Sequence, residues 1–472
     1  MALPTGWVLP DWLESRSACE EQPIATGVGT VDSGVAASVD QRGLVVAARG
    51  GWSLDWWIGA EDGWHIPTRE PATRVHQGLI DEAPVVETTM RVPGGEIVHR
   101  CYGARAAAGD AVVVEVENRS HVPVALALAV RPYDLASVAT LKRAALEGDM
   151  VLLNGRTAIS LGSAPAFAAG SRGSIDVAEQ VFGGTRGLPD QLGEVRDSAG
   201  LATLALVYAL PHTAVRRVAL ATFEVDPSSL PAATQVASGW GAHLRRAMRI
   251  SVPDERLQQG VAACRSALVL NADERAFDDP TVLGCLERWG FADELAQLAE
   301  RRGYRVIPGA GFVVRGDQLD RRGGALERVA TLVASASSTW TWPARSHPTS
   351  APAELLARVR DVLIGDDVDG RVALWPHVDP AWFGQGVEVH DAPVAGGVVS
   401  YAVRWHGTRP ALLWEAPHGL TLTAPGLDPS WSSTDVTGEA LLAPVEPGGG
   451  LPGVYGPIEV GARVDEPGRS FG

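Results

Sequence analysis

The chain has 472 residues, of which 46% are hydrophobic and 20% charged, so we expect about three globular domains rather than a disordered chain. Its 40 basic and 56 acidic residues give a formal net charge of −16, which disfavours binding to nucleic acid or to anionic lipid. Lys142 is the sole lysine and follows Leu141 rather than a glycine, which excludes a Walker-type phosphate loop.

The cysteines and the short motifs exclude further classes of protein. The cysteines have no metal-type spacing, which predicts reduced thiols, no metal site and a cytoplasmic protein; they are Cys19, Cys101, Cys264 and Cys285. No signal peptide is recognisable, and no apolar run reaches the length of about 18 residues that spans a bilayer. A dinucleotide fingerprint is incomplete, because Gly27 and Gly29 are followed by Asp32 where a third glycine belongs. The sequence therefore predicts no cofactor.

From residue 20 to about 235 the hydrophobic pattern has a period of two, which is typical of antiparallel sheet. The dipeptide Asn154-Gly155 predicts a tight hairpin. The segment 122–130 places large apolar side chains on one face and alanines on the other, as in a strand buried between two layers. These features predict an N-terminal β-sandwich.

Near residue 238 the pattern changes to helical spacing, and five helices are predicted between residues 251 and 365. They are expected at about Pro253–Leu270, Pro280–Trp289, Ala292–Arg302, Gly324–Ser337 and Ala353–Ile364. Alternating strands return after Gly370. The predicted fold is a multidomain α+β protein, with a sandwich (1–235), a helical domain (236–370), a small C-terminal β-domain (371–443) and a Gly/Pro-rich, mobile tail (444–472).

Two segments resemble a known superfamily. Residues 240–290, especially Arg249–Leu257 and Thr281–Gly290, resemble the linker and first barrel hairpins of the six-hairpin glycosidases. Residues 374–415, with Trp375-Pro376 and Arg404–Gly407, are similar to the β-domain that follows such barrels in bacterial glucoamylase-like and glycogen-debranching-like proteins. The resemblance covers about half of the chain and implies an α-linked glucan substrate and hydrolysis by paired carboxylates.

The predicted helices are too few for a complete barrel of that superfamily, which has twelve. Five helices in about 115 residues imply either a truncated α/α barrel or a misplaced boundary. An open half-layer cannot enclose a sugar on all sides, so the stabilisation of an oxocarbenium ion would be mostly lost. An open layer with exposed apolar faces also favours a homo-oligomer.

The resemblance implies one carboxylate at the start of the second helix. Glucan-active members carry an Arg-Asp pair there, and Asp278-Asp279 occupies the matching place, with Asp278 in the position of the arginine. Asp279 is therefore a candidate catalytic or substrate-binding residue, and Asp278 a candidate substrate-binding residue. The alternative, favoured by capping preference, is that one of them caps the helix that opens at Pro280.

Tryptophan is unusually frequent, with 15 residues against 8 Phe and 6 Tyr, and indoles stack on sugar rings. Trp340 and Trp342 stand two residues apart and would share a face in an extended loop, so they are predicted to bind substrate, as is Trp375. A plug between domains is the alternative for the first two. The cluster of four indoles and three acids in residues 52–64 is predicted to fill the sandwich core or to offer a glycan surface.

Glu388 is the second candidate catalytic carboxylate, because His390 and Asp391 stand close to it in sequence and proton transfer requires such neighbours. The alternation of Val387 and Val389 with these polar residues favours instead the solvated face of a strand. The superfamily's acid and base glutamates have no matching motif here.

Three functions remain open from the sequence. The first is a degenerate, non-catalytic relative of the six-hairpin glycosidases that binds an oligosaccharide or glucan, and the short helical region favours it. The second is an active glycosidase of inverting mechanism, which needs two carboxylates about 6.5–9.5 Å apart. The third is an acidic scaffold protein that binds no sugar.

Overall fold

The computed structural model describes residues 6–14, 24–31, 34–135, 137–184, 193–272, 279–301, 325–342, 351–366 and 370–445. Cys19, Asp278 and nearly all of the predicted tail lie outside these ranges.

Two large antiparallel sheets build the N-terminal half. Their strands are β1 (Ala25–Thr30), β2 (Gly34–Asp40), β3 (Val45–Ala47), β4 (Ser53–Ala60), β5 (Gly63–His65), β6 (Val75–Leu79), β7 (Val85–Val92), β8 (Gly95–Ala106), β9 (Gly109–Asn118), β10 (Val124–Arg131), β11 (Arg143–Glu147), β12 (Met150–Leu153), β13 (Arg156–Ser160), β14 (Phe167–Ser171), β15 (Glu194–Arg196), β16 (Thr203–Leu210) and β17 (Val215–Leu220). The eight-stranded sheet has the order β1-β2-β3-β4-β10-β16-β14 with β5 on β4, and the nine-stranded sheet has the order β15-β11-β12-β13-β17-β9-β8-β7-β6.

The two sheets share one apolar core, and β10 shows how the sequence produces it. Leu126 and Leu128 point into the core between the sheets. Ala127 and Ala129 point to the other side of the eight-stranded sheet, where they pack against a short helix, α2 (Val177–Phe182). The prediction of a strand buried between two layers is thus confirmed, because both of its faces are covered.

Helices follow in the middle of the chain. In the described residues they are α3 (Ala233–Leu244), α4 (Glu255–Leu270), α5 (Pro280–Trp289), α6 (Ala292–Arg301), α7 (Ala325–Ser335) and α8 (Ala351–Leu363), and a four-residue helix, α1 (Asp11–Glu14), lies near the N-terminus. Five of them occupy the predicted segment, with ends within about two residues of the predicted ones. No helix in the described ranges has both the length and the apolar character of a bilayer-spanning segment.

Two smaller sheets complete the described chain. Their strands are β18 (Arg249–Ser251), β19 (Ile364–Asp366), β20 (Arg371–Leu374), β21 (Val387–Val394), β22 (Gly397–His406), β23 (Arg409–Glu415), β24 (Thr421–Ala424), β25 (Asp428–Ser433) and β26 (Thr437–Leu441). One sheet has the order β18-β21-β22-β23-β26 and the other β19-β20-β24-β25. β18 precedes the five helices in sequence but pairs with β21, which follows them.

A single hydrophobic cluster joins the helices to both neighbouring layers. It includes Val113 on the outer face of the nine-stranded sheet, Leu268 of α4, Leu356 of α8 and Val403 of β22. The helices therefore form a layer between the sandwich and the C-terminal sheets, with apolar contacts on both sides.

Candidate functional site

A charged groove with a volume of about 550 Å³ lies on the nine-stranded sheet. We call it the arginine–glutamate groove; the charged residues that line it are Arg100, Arg216, Arg217, Glu115, Glu117, Asp149, Glu224 and Asp226. Its floor is on the face away from the sandwich core, because Glu115 and Glu117 alternate along β9 with Val114 and Val116, which are core residues.

The register of four neighbouring strands places opposite charges side by side on the floor. Glu87 of β7 lies opposite Arg100 of β8, Arg100 lies opposite Glu115 of β9, and Glu115 lies opposite Arg217 of β17. Directly opposed residues on one sheet face are the closest cross-strand neighbours, so this row alternates in sign across the sheet. Hydrophobic alternation sets the register, and the register in turn creates the charged row.

Arg100 is the centre of this row. Its Nε donates to Glu87 Oε2 at 2.7 Å, its Nη1 to Glu115 Oε1 at 2.7 Å, and its Nη2 lies 2.8 Å from Glu117 Oε2. Burial alone would lower the pKa of Arg100, but the hydrogen bonds that its guanidinium donates to Glu115, Glu117 and Glu87 outweigh burial and raise the pKa. Arg100 is 8% exposed and stays charged at any ordinary pH.

Glu115 and Glu117 are poor candidates for a catalytic acid or base. Glu115 is 5% exposed, and its two oxygens accept from Arg100 Nη1 and Arg217 Nε, each at 2.7 Å. For Glu117 burial would raise the pKa, but hydrogen bonds from Arg119 and Arg100 hold the pKa below its ordinary value. A general acid requires a raised pKa, whereas the pKa of Glu117 is lowered.

The rim of the groove differs from its floor. Asp226 accepts hydrogen bonds from the backbone N and the Oγ of Ser228 at 2.9 and 2.7 Å and so caps the short turn Pro227–Ser229. Asp149 and Glu224 are exposed, and neither forms an ion pair with another residue in the described part of the chain. Arg217 donates from Nε to Glu115 Oε2 at 2.7 Å, and its side chain is 26% exposed. The groove thus offers both donors and acceptors.

The described side chains give no sign of a metal centre. No group of three or more His, Cys, Asp or Glu side chains in the described ranges is arranged to hold a metal ion. Cys264 and Cys285 are buried in the core, and burial raises the pKa of both thiols, that of Cys285 to about 12.

Asp279 takes the capping position that its sequence context favours. Its Oδ1 accepts hydrogen bonds from the backbone N of Thr281 at 2.9 Å and of Val282 at 3.4 Å, at the start of α5. Pro280 is the first residue of that helix, and Gly290 ends it at a φ of 85°. The carboxylate is therefore engaged in a helix cap, and Asp278 lies outside the described residues.

Glu388 lies on the open face of the C-terminal sheet. Its carboxylate is 3.2 Å from His390 Nε2 and 3.7 Å from Arg404 Nη2, and its side chain is 37% exposed. Val387 and Val389 on either side are buried, which matches the predicted alternation of a half-exposed strand. The residue stands on an open sheet surface, where water would surround any reacting group.

Trp340 and Trp342 lie in the core, at 6% and 9% exposure. The guanidinium of Arg256 lies 4.9 Å from the ring centroid of Trp340, and Trp342 Nε1 donates to the carbonyl of Leu332 at 3.0 Å. The preceding Thr339 hydrogen-bonds to Thr26 of the sandwich at 2.8 Å. This placement favours the alternative of a plug between domains, and stacking on sugar stays a prediction that requires the rings to become exposed.

Trp375 is fully buried, with its ring centroid 6.2 Å from that of Trp382. A ligand cannot reach the ring of Trp375 in this conformation. The position of Trp375 therefore does not support the predicted role in substrate binding. The cluster of residues 52–64 is largely internal as well, because Trp52, Trp56 and Trp57 are core residues. Trp64 alone of these four is partly exposed, and it packs on Phe182.

The groove residues were not singled out by sequence reasoning. The available signal is that Glu87, Arg100, Glu115 and Arg217 each interrupt an apolar run in a separate strand. Single charges on strands usually indicate solvated positions, and only the pairing register shows that these four are neighbours.

Comparisons with known proteins add little at this level of similarity. No protein-family model and no curated protein matches the sequence. A bacterial glucoamylase complexed with acarbose matches with a TM-score of 0.39 and 8% identity, over 60% of this chain and 50% of that chain. A structure named "Putative kojibiose phosphorylase from human microbiome" matches with a TM-score of 0.29 and 11% identity, over 48% of this chain and 32% of that chain. The chain thus spans half or less of these two proteins.

Proposed function

We propose that this chain is a non-catalytic carbohydrate-binding protein that holds an α-glucan oligosaccharide in the arginine–glutamate groove. The observation that carries the proposal is the charged lining of the groove, where the partly exposed guanidinium of Arg217 and the exposed acids Asp149 and Glu224 accompany the paired charges of the floor. Vicinal sugar hydroxyls both donate and accept hydrogen bonds, so a surface that presents guanidinium donors beside carboxylate acceptors is complementary to them.

The rigidity of the floor supports binding. Arg100 and Glu115 are nearly buried and fixed by ion pairs at 2.7 Å, so little side-chain freedom remains to be lost when a ligand arrives. The α-glucan class is proposed from the sequence resemblance of residues 240–290 and 374–415 to the six-hairpin glycosidases.

The non-catalytic part of the proposal follows from the state of the carboxylates. Glycoside hydrolysis needs one protonated and one ionised carboxyl group on either side of the scissile bond. On the groove floor, arginines pair with both oxygens of Glu115 and hold the pKa of Glu117 low, whereas Asp279 caps a helix and Glu388 lies on an open sheet. None of these four carboxylates is placed as a proton donor in an enclosed site.

Calorimetric titration with maltooligosaccharides and glycogen tests the proposal. We expect binding in the micromolar to millimolar range and at least a tenfold loss in the double variant Asp149→Asn/Glu224→Gln, equal to about 1.4 kcal/mol. Glu439→Gln is the matched control, because Glu439 is an exposed acid on β26 of the C-terminal sheet, and its affinity should equal that of the wild type.

Two results would overturn the proposal in different ways. The absence of any binding at millimolar glucan would leave the acidic scaffold as the better interpretation. Release of glucose from maltose or glycogen by the purified protein, abolished by Asp279→Asn or Glu388→Gln, would establish an active glycosidase.

A further inference from the structure

The N-terminal segment crosses the outer face of the eight-stranded sheet. We call residues 6–14 the N-terminal strap. Trp7 and Val8 are buried at 4% and 3% exposure, and Trp12 is half-buried against the same small cluster as Trp7. Two of its hydrogen-bonded contacts, at Val8 and at Trp12, differ in chemistry.

The first anchor is at Val8. Its backbone N donates to Asp176 Oδ2 at 2.7 Å, and its carbonyl accepts from Arg131 Nη2 at 3.0 Å. Arg131 and Asp176 are themselves 2.6 Å apart and fully buried. The adjacent Trp7 donates its indole N–H to the carbonyl of Ser174 at 3.2 Å, a group that does not titrate.

The second anchor is at Trp12. Its indole N–H donates to Asp40 Oδ2 at 3.2 Å. The other oxygen of this carboxylate, Oδ1, accepts from the backbone N–H groups of Arg42 and Leu44 at 2.8 and 2.9 Å. A proton that binds Asp40 therefore goes to Oδ2, because Oδ1 already faces two donors.

We propose that protonation of Asp40 releases the Trp12 end of the strap while the Val8 end stays bound. Protonation of Oδ2 removes the charge that strengthens the hydrogen bond from the Trp12 indole N–H, and it adds an O–H donor on the side of the carboxyl group that faces the indole. An unpaired donor is costly where it is buried, and a half-buried indole can restore its hydrogen bond by turning toward water. The ion pair of Arg42 with Asp11, at 3.3 Å, is exposed, and exposed pairs of this kind contribute little to stability.

The burial of Asp40 places this switch near neutral pH. Burial raises the pKa of Asp40 to about 6, against the lowering effect of its hydrogen bonds from the backbone of Arg42 and Leu44, and the nearby Asp55 raises it further. Burial lowers the pKa of His99, whose Nδ1 lies across the turn at Gly43, to about 3. His99 thus stays neutral while Asp40 titrates, and among the described residues the ion pair of Arg42 with Asp11 lies at the same end of the strap.

Fluorine NMR of protein labelled with 5-fluorotryptophan tests the switch. The resonances of Trp12 and Trp7 are assigned by their absence from Trp12→Phe and Trp7→Phe. Between pH 7.5 and pH 4.5, about 1.5 units on either side of the midpoint, we expect the chemical shift of the Trp12 resonance to change with a midpoint near 6. The Trp7 resonance should stay where it is. In Asp40→Asn the amide N–H₂ replaces Oδ2. The Trp12 resonance of this variant should therefore have, at every pH, the chemical shift that the wild type shows at acidic pH.

Each outcome decides the proposal. An unchanged Trp7 resonance in Asp40→Asn shows that the strap and the fold persist in that variant. Asp11→Asn removes the exposed ion pair and should leave the Trp12 transition in place. A Trp12 resonance that stays constant over the range, or that titrates with the same midpoint in Asp40→Asn, would overturn the proposal.

Discussion

Gly260 of α4 lies directly against the indole of Trp340, so closely that a Cβ atom at Gly260 would overlap Cη2 and Cζ3 of the ring. Arg256, one turn earlier on the same helix, places its guanidinium 4.9 Å from the centroid of that ring. The indole thus lies along one face of α4, and the absence of a side chain at residue 260 makes room for it.

This contact predicts a large effect from a small change. Gly260→Ala would normally favour a helix by about 1 kcal/mol, but here the added methyl group must displace a buried ring, at a net cost of about 1–3 kcal/mol. Urea unfolding measures the difference. Gly239→Ala in α3 is the matched control, because a Cβ there meets nothing within 4 Å, and it should be neutral or stabilising. Equal effects of the two substitutions would contradict the packing described.

Trp340→Ala separates a core role from a sugar-binding role. Removing a buried indole should lower the free energy of unfolding by about 3 kcal/mol or more. If the ring stacks on sugar, glucan affinity should also fall by about 1 kcal/mol. We expect the stability loss alone, measured by urea unfolding and by titration of the folded variant with maltooligosaccharide.

The central ion pair of the groove should matter for stability. Glu115→Gln leaves the buried Arg100 with one carboxylate fewer and Arg217 without its 2.7 Å partner, so we expect a loss of about 3 kcal/mol in thermal or urea unfolding. Glu96→Gln breaks an exposed pair with Arg91 on the same sheet and should cost less than about 0.5 kcal/mol. If Glu115→Gln lowered the free energy of unfolding as little as Glu96→Gln does, the ion pairs would not hold the groove floor rigid.

Asp279 should behave as a cap. Asp279→Ala removes the acceptor for two backbone N–H groups and should cost about 1 kcal/mol, whereas Asp279→Asn keeps the acceptor and should cost only a few tenths. Neither Asp279→Asn nor Glu388→Gln should change any measured hydrolysis by much. A stability loss from the Asn variant as large as from the Ala variant would show that the charge, rather than the cap, is what matters.

The raised pKa of Asp40 predicts that the free energy of unfolding increases as the pH falls. Its pKa rises from 3.8 in the unfolded chain to about 6 in the folded protein, so the folded state binds the proton more tightly. The resulting stabilisation is complete below pH 3.8 and is lost as the pH rises through 6. Relative to Asp40→Asn, which does not titrate, the wild type should therefore gain about 2–3 kcal/mol in unfolding free energy between pH 7.5 and pH 4. A constant difference between the two proteins would refute the assigned burial effect.

Local signals predicted the helices well. Asp279, Pro280 and Gly290 bracket α5, and its predicted ends coincide with the observed ones because cap, first turn and stop are all local. Asn154 and Gly155 likewise adopt the positive φ values, 50° and 80°, that a tight hairpin requires.

Contacts between segments that are distant in the chain could not be predicted from the sequence. The ion-pair partners of Glu115 come from residues 100 and 217, and the partner of the Val8 backbone N is Asp176, so no local pattern indicates either set. The burial of Trp340 likewise depends on a distant residue, Gly260. From the sequence alone, an indole in a loop is compatible both with ligand binding and with packing in the core.

The pairing of β18 with β21 places five helices, together with β19 and β20, between two adjacent strands of one sheet. Ile250 lies opposite Val389, so the segment of chain between them leaves and returns at the same place. The entropy of closing such a loop depends only weakly on its length, and insertions between neighbouring ends are well tolerated. Since β18 is the edge strand of this sheet, a fragment that begins after residue 370 would lack the strand that covers β21.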